Sequence, residues 1–215
     1  MSNDMGHSRK QADAVSARTQ TDVAAFLAAG TVEPSRVTLR AITAGDQDEF
    51  LDLTAASVDL HGPRMSYPTT PAEFDAFLAR FDHVTMQGLL ICLRESGAIA
   101  GTVNLNSIIR GRFQNASLGY AAFSPTAGRG YMTEGLRQVI GYAFEHLRLH
   151  RLEAQIQPGN HASLKLVQRL GFRYEGTSPD LLFIAGAWRD HECWALTNAM
   201  VAPGPWPAHP TQPAH

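Results

Sequence analysis

The feature that most constrains this chain is a strand–turn–helix passage centred on Gly128-Arg129-Gly130. Ahead of it, after a short link, Leu118-Gly119-Tyr120-Ala121-Ala122-Phe123 reads as a strand. Behind it, Met132, Leu136, Val139, Ile140, Ala143 and Leu147 fall on one face of an amphipathic helix that runs to about Leu147. A helix start behind such a turn offers free backbone N–H groups and the positive end of the helix dipole, which together make an anion site. The alternative is a tight turn whose glycines serve backbone angles alone. A P-loop is excluded, because no Lys and Ser/Thr follow the second glycine. The dinucleotide fingerprint is excluded too, because Thr133 stands where its third glycine is needed. What remains is a short cradle suited to a pyrophosphate.

The rest of the chain supplies an α/β domain around this passage. Its 215 residues, 44% hydrophobic and 18% charged, suffice for one domain with a proper core. The domain is expected over residues 36–200, between a loose N-terminal arm (1–35) and a Pro-rich C-terminal tail (201–215). In the arm, Val23 to Ala29 makes at most a short helix. Strands are expected at 37–40, 89–93, 99–109, 118–123 and 151–156, with a last hairpin of 181–184 and 189–196 around Ala185-Gly186-Ala187. Helices are expected from Asp46 to about Ser57, from Pro71 to Phe81, from Tyr131 onward, and from Asn160 to Gly171. Strands with helices interspersed give a mixed α/β sheet. Trp188 and Trp194 are expected to pack on it.

Several function classes drop out. A net charge of −2 offers no basic field for nucleic acid or an acidic membrane. Cys92 and Cys193 are too few for a disulfide framework, and neither they nor the scattered histidines have metal-ligand spacing. No apolar run approaches the roughly 18 residues of a membrane span. No apolar signal core follows Arg9-Lys10, so a reduced, cytoplasmic setting is expected.

A second constellation lies one helix and one strand beyond the glycine turn: Asn160-His161-Ala162-Ser163, followed by Leu170-Gly171-Phe172. Taken singly, Asn160 is a helix cap and Ser163 a first-turn polar residue. Taken with the glycine turn, the set resembles the GNAT acyltransferases, whose turn reads Gln/Arg-x-x-Gly-x-Gly/Ala and whose later helix often carries Asn-x-x-Ser and ends in Gly-Phe. The resemblance is closer to the ribosomal-protein-alanine N-acetyltransferases of the RimJ/RimL type. It is carried by Arg110-Gly111, Leu118-Gly119-Tyr120, Asp180-Leu181-Leu182-Phe183-Ile184, Gly186 and Trp188-Arg189-Asp190-His191.

That resemblance implies the GNAT fold, with a mostly antiparallel central sheet and flanking helices. It implies acetyl-CoA as co-substrate, no metal, and an amine acceptor, in a monomer or homodimer. Amides around Gly128, Arg129, Gly130, Tyr131 and Met132 would hold the pyrophosphate. Backbone groups of Ala122, Phe123 and Ser124 would pair with the pantetheine arm and polarise the thioester carbonyl. Asn160 would contact the cofactor, and Ser163 would hydrogen-bond the departing sulfur; these two are the catalytic candidates.

The chain departs from the family pattern at Ala127, where the turn opens with Gln/Arg, and at Met132, where it closes with Gly/Ala. Leu182 stands where the RimL branch has an acidic residue. Asp180, Glu134, Asp190 and His191 are then candidates for the general base, each with a structural alternative as turn former, helix-start charge or hairpin pair. A protein N-terminal acceptor eases the need for a strong base. Its α-amine has a pKa of about 7.7–8.0, against about 10.4 for lysine, so at a pH of about 7.5 roughly a third of α-amines are uncharged and only about a thousandth of lysines. A small-molecule amine acceptor and a non-catalytic acyl-CoA-binding module are the competing readings. Residues 57–85, with His61, Arg64 and Tyr67, would line the acceptor side.

Overall fold

The computed structural model describes residues 2–29, 35–65 and 67–201. In chain order the elements are α1 (Ser2–Ala28), β1 (Val37–Ala41), α2 (Gln47–Ala55), α3 (Val58–His61), α4 (Pro71–Leu78), β2 (Gln87–Leu93), β3 (Ile99–Ile109) and β4 (Asn115–Ala122). There follow α5 (Tyr131–Gly141), β5 (Arg151–Ile156), α6 (His161–Arg169), β6 (Arg173–Ile184) and β7 (Ala187–Thr197). The strands form one sheet in the order β1-β2-β3-β4-β5-β7-β6. Every neighbouring pair is antiparallel except β4 with β5. This is the mixed, mostly antiparallel α/β sheet that the sequence leads one to expect.

The sheet is buried on both sides, which explains why β2 is an unbroken apolar run rather than an alternating one. Successive side chains point to opposite faces. Leu89 and Ile91 join Leu39, Val103, Leu136 and Val139 on the side covered by α5. Leu90 and Cys92 join Ile42, Phe50, Phe74, Phe77 and Phe123 on the other. Helix α4 starts as expected, with Pro71 in its first turn and a capping box in which Thr70 accepts from the Glu73 N–H. The Asp46 carboxylate takes both Arg40 guanidinium nitrogens and the Thr43 N–H, which fixes the approach to α2.

One irregularity in the sheet positions everything that follows. Strands β4 and β5 pair only through Asn115–Ser117 and Arg151–Glu153. Beyond that they part, β4 continuing along β3 and β5 along β7. At the fork, Ser117 Oγ donates to Gln155 Oε1 at 2.7 Å. From Leu118 to Ala122, one edge of β4 therefore opens into a split in the middle of the sheet.

The structure differs from the sequence reading in three places. The arm is not loose: α1 is a 27-residue helix. Its Val23 and Phe26 are buried in the main core, and Gln20 Oε1 accepts the N–H of Ala41 on edge strand β1 at 2.8 Å. Its apolar positions are too sparse to show a stripe, and it is held by covering a sheet edge. Residues 30–34 of the arm, and 202–215 of the Pro-rich tail, lie outside the described residues. The helix expected to run to about Leu147 does so, but after Gly141 it widens into a π-helical turn at Tyr142–His146, with the Leu147 N–H bonded to Tyr142 C=O. The last hairpin is longer than expected, because Arg173–Ser178 pairs with β7 although it lacks apolar alternation. On that hairpin Trp194 is buried as expected, but Trp188 is 59% exposed against Phe183.

If α1 is part of the core, Phe26→Ala should destabilise the chain by about 3–5 kcal/mol in urea unfolding. The Phe26 ring packs edge-on to Tyr142 at 5.9 Å between centroids. A loss below about 1 kcal/mol would restore the loose arm.

Candidate active site

The open edge of β4 and the starts of α5 and α6 border one cleft of about 410 Å³. Of the residues singled out in the sequence, Ala122, Gly128, Gly130, Tyr131, Met132, Asn160 and Ser163 line it. Residues from three separate stretches of chain thus meet at one place.

The glycine turn works through its backbone angles. Gly128 and Gly130 have φ of 76° and 86°, which L side chains rarely adopt, while a Cβ at Gly128 would meet nothing within 4 Å. The link before the turn is closed by Phe123 C=O, which accepts from the N–H groups of Thr126 and Ala127. The first bonds of α5 run from the Thr133 and Glu134 N–H groups to Gly130 C=O. The amides from Gly128 to Met132 lie ahead of that first bonded turn, at the positive end of the helix. Met132 turns its side chain away from this cradle and over β3, where a Cβ on Gly101 would meet its sulfur at 2.4 Å.

A clasp from the start of β1 holds the turn. Arg36 Nη2 donates to Arg129 C=O at 2.9 Å, and the guanidinium lies 4.7 Å from the Tyr131 ring centroid. Arg36 Nε and its backbone N–H both donate to the Glu134 carboxylate at 2.8 Å, and Arg36 Nη2 and Ser35 Oγ add two more bonds. The Arg36 hydrogen bond, ahead of other causes, holds the Glu134 carboxyl below the usual carboxylate range. Glu134 therefore drops out as a general base. Arg36 carries no motif of its own and lies 98 residues from Glu134, so the sequence reading missed it.

The β4 edge also departs from expectation. The Phe123 N–H bonds across to Ala100 C=O, and an antiparallel ladder alternates. Tyr120 and Ala122 therefore turn their backbone groups toward the split. Phe123 does not: its backbone is engaged and its ring is buried 5.5 Å from Phe50. The Ser124 N–H is donated to Ser57 Oγ at 2.9 Å. Neither Phe123, Ser124 nor Arg129 lines the cleft, whereas Tyr120 and Ala122 do.

On the far wall, Asn160 Oδ1 caps α6 by accepting the Ser163 N–H at 3.2 Å, which leaves its Nδ2 as the group available to a ligand. The Tyr120 hydroxyl is buried in this wall beside Ser163, without a hydrogen-bond partner of its own. Burial pushes its pKa up to about 12, so it stays a proton donor at neutral pH. The cleft contains no carboxylate among the described residues. Asp180, Asp190 and His191 belong to the β6–β7 hairpin. Asp190 Oδ1 accepts the Asp180 N–H there, and His191 is buried against Arg189 C=O.

The model for the acetyltransferase (GNAT) domain matches residues 36–173. The chain is 42% identical over 100 residues to YjcK, a probable N-acetyltransferase of Bacillus subtilis, covering 46% of this chain and 55% of that protein. It is 40% identical over 106 residues to the [ribosomal protein uS5]-alanine N-acetyltransferase of Escherichia coli, covering 49% and 55%. The chain thus spans about half the length of the curated relatives it matches. Among solved structures, Mycobacterium smegmatis RimJ in complex with CoA-disulfide matches with a TM-score of 0.71 at 25% identity, over 78% of this chain and 84% of that one.

The clasp yields a test of the cradle. Arg36→Ala should raise the Kd for CoA several-fold in calorimetry while leaving Tm nearly unchanged, because Arg36 shapes the turn from outside the cleft. An unaltered Kd would show that the turn does not need it.

Proposed function

The chain belongs to the GNAT acetyltransferase family, and we propose that it transfers acetyl from acetyl-CoA to the N-terminal α-amine of a protein. The observation that carries this reading is the coincidence in one cleft of a free-amide glycine turn, an open strand edge and an unpartnered buried phenol. CoA has a group for each: an anionic pyrophosphate, an amide-bearing arm and a sulfur that needs a proton on departure.

In this reading the amides of Gly128, Gly130, Tyr131 and Met132 bind the pyrophosphate. The backbone of Tyr120 and Ala122 pairs with the pantetheine arm, which takes the place of a strand in the split. Asn160 Nδ2 fixes the arm from the α6 side. The amine nitrogen attacks the thioester carbonyl, a C–N bond forms and the C–S bond breaks. The departing sulfur takes its proton from the Tyr120 hydroxyl, which burial keeps protonated beside Ser163.

The acceptor follows from charge. A polyamine needs several carboxylates, and the cavity beside the cleft has Glu73 alone among the described residues lining it. That carboxylate is bound to Thr69 and Thr70 in the α4 cap. A lysine acceptor needs a base strong enough to remove a proton held at a pKa of about 10.4, whereas an α-amine is partly neutral already. The E. coli relative, by its name, acts on a ribosomal-protein alanine.

The test is thiol release from acetyl-CoA with two peptide sets, one with a free N-terminal alanine and one N-blocked with an internal lysine. Mass spectrometry should show acetylation of the α-amine, and Tyr120→Phe should lower kcat while leaving the KM for acetyl-CoA nearly unchanged. Exclusive ε-acetylation would overturn the acceptor assignment. CoA binding without turnover on any amine would leave a binding module.

A further inference from the structure

We propose that His61 is the general base of the transfer, with Nδ1 taking the proton from the acceptor amine. The inference rests on the transferase reading above and supplies the base that reading lacks.

The first argument is position. Beside the 410 Å³ cleft lies a second cavity of about 550 Å³, walled by Tyr67, Glu73, Phe77 and Arg80. Among the residues lining the two, only His61 and Met65 are common to both. If the cleft holds the acetyl donor, the second cavity is where an acceptor enters, and the imidazole stands at the junction. It sits at the C-terminal end of α3, buried, with its ring 5.4 Å from that of Tyr67 and 6.2 Å from that of Phe123.

The second argument is the tautomer. His61 Nε2 lies 2.9 Å from Ala122 C=O. A carbonyl oxygen only accepts, so Nε2 carries the hydrogen and Nδ1 has the bare lone pair. Nδ1 has no hydrogen-bond partner among the described residues. The arrangement is that of a catalytic histidine oriented by an acceptor on its far side, with a backbone carbonyl in the orienting role. Ala122 is also the residue whose open edge is assigned to the pantetheine arm, so one strand position would register both the donor and the base.

The third argument is exclusion. Arg64 and Arg169 line the donor cleft, and Arg80 and Glu73 line the acceptor cavity. The guanidiniums are not bases, and the Glu73 carboxyl is held below its usual range by the Thr69 and Thr70 bonds. Burial raises the pKa of both the Tyr67 and the Tyr120 phenol, which keeps them protonated. The imidazole is the remaining group at the junction with a bare nitrogen lone pair to accept a proton. As the C–N bond forms, the amine proton passes to Nδ1 and the thiolate takes its proton from the Tyr120 hydroxyl. The imidazolium then releases its proton to water in the acceptor cavity, and the Tyr120 phenolate regains a proton from water, which returns both groups to their starting states.

The experiment is kinetics on His61→Gln with the alanine peptide. Glutamine can still donate an amide N–H to Ala122 C=O but has no basic nitrogen. The expected result is a fall of about 100-fold or more in kcat/KM, with the Kd for CoA unchanged. In the wild type two groups must lose protons, so log kcat/KM rises with a limiting slope of two at acid pH. In the variant only the amine titrates, and the slope becomes one. Added imidazole should restore part of the activity of His61→Ala. Activity within about two-fold of wild type, or a loss in CoA affinity matching the loss in rate with an unchanged slope, would overturn the base assignment and leave the transferase reading intact. A wild type that binds CoA and acetylates nothing would overturn both.

Discussion

Backbone N–H and C=O groups inside a sheet must find partners, and this sheet opens where they cannot find them in each other. After three paired residues β4 and β5 diverge, and the edge from Leu118 to Ala122 is left facing a gap between two well-packed halves. One outer edge of the sheet is covered. On β1, Gln20 of α1 takes the Ala41 N–H. At the split no side chain fills the length of the gap: Ser117–Gln155 closes its root, and His61 reaches Ala122 at its mouth. A ligand with its own amide groups would satisfy that edge as a strand does, which is why we propose the splay as the seat of the cofactor arm.

The glycine turn and the split belong to one construction. Phe123 ends the strand by collecting the Thr126 and Ala127 amides, and the chain then needs two left-handed residues to enter α5 with its amides facing the cleft. Arg36 reaches across from β1 to take the outward-facing Arg129 carbonyl and to neutralise Glu134. The positive end of α5 therefore keeps its attraction for an anion, which an unpaired Glu134 would weaken. Ala127, where the family has Gln/Arg, gives its N–H to Phe123 and lines the cleft with a methyl group.

Much of this was legible in the sequence wherever a local pattern enforces it. Strand β3 and the starts of α4 and α5 declared themselves through alternation, capping chemistry and glycine spacing. The meeting of Gly130 with Ser163 followed from family resemblance. What stayed hidden has no local signature. α1 is held by an edge contact and by the isolated apolar residues Val23 and Phe26, and Arg173–Ser178 is a strand because β7 pairs with it. Arg36 matters through a partner 98 residues away. The parity of β4, which turns the backbone groups of Tyr120 and Ala122 rather than those of Phe123 toward the split, depends on the register with β3. The carboxylates first considered as bases were chosen for their chemistry. Topology puts them on the hairpin or in the clasp, and puts His61 where a base is needed.

The central claim is that the split edge and the glycine turn together seat CoA. Amide hydrogen exchange by NMR, with and without CoA, tests it most directly. The account predicts new protection at Tyr120 and Ala122 and at the turn amides Gly128, Gly130, Tyr131 and Met132, with Ser124 unchanged because its N–H is already bonded to Ser57. Saturating CoA that leaves Tyr120, Ala122 and the turn amides unprotected, with protection confined to other elements, would contradict it.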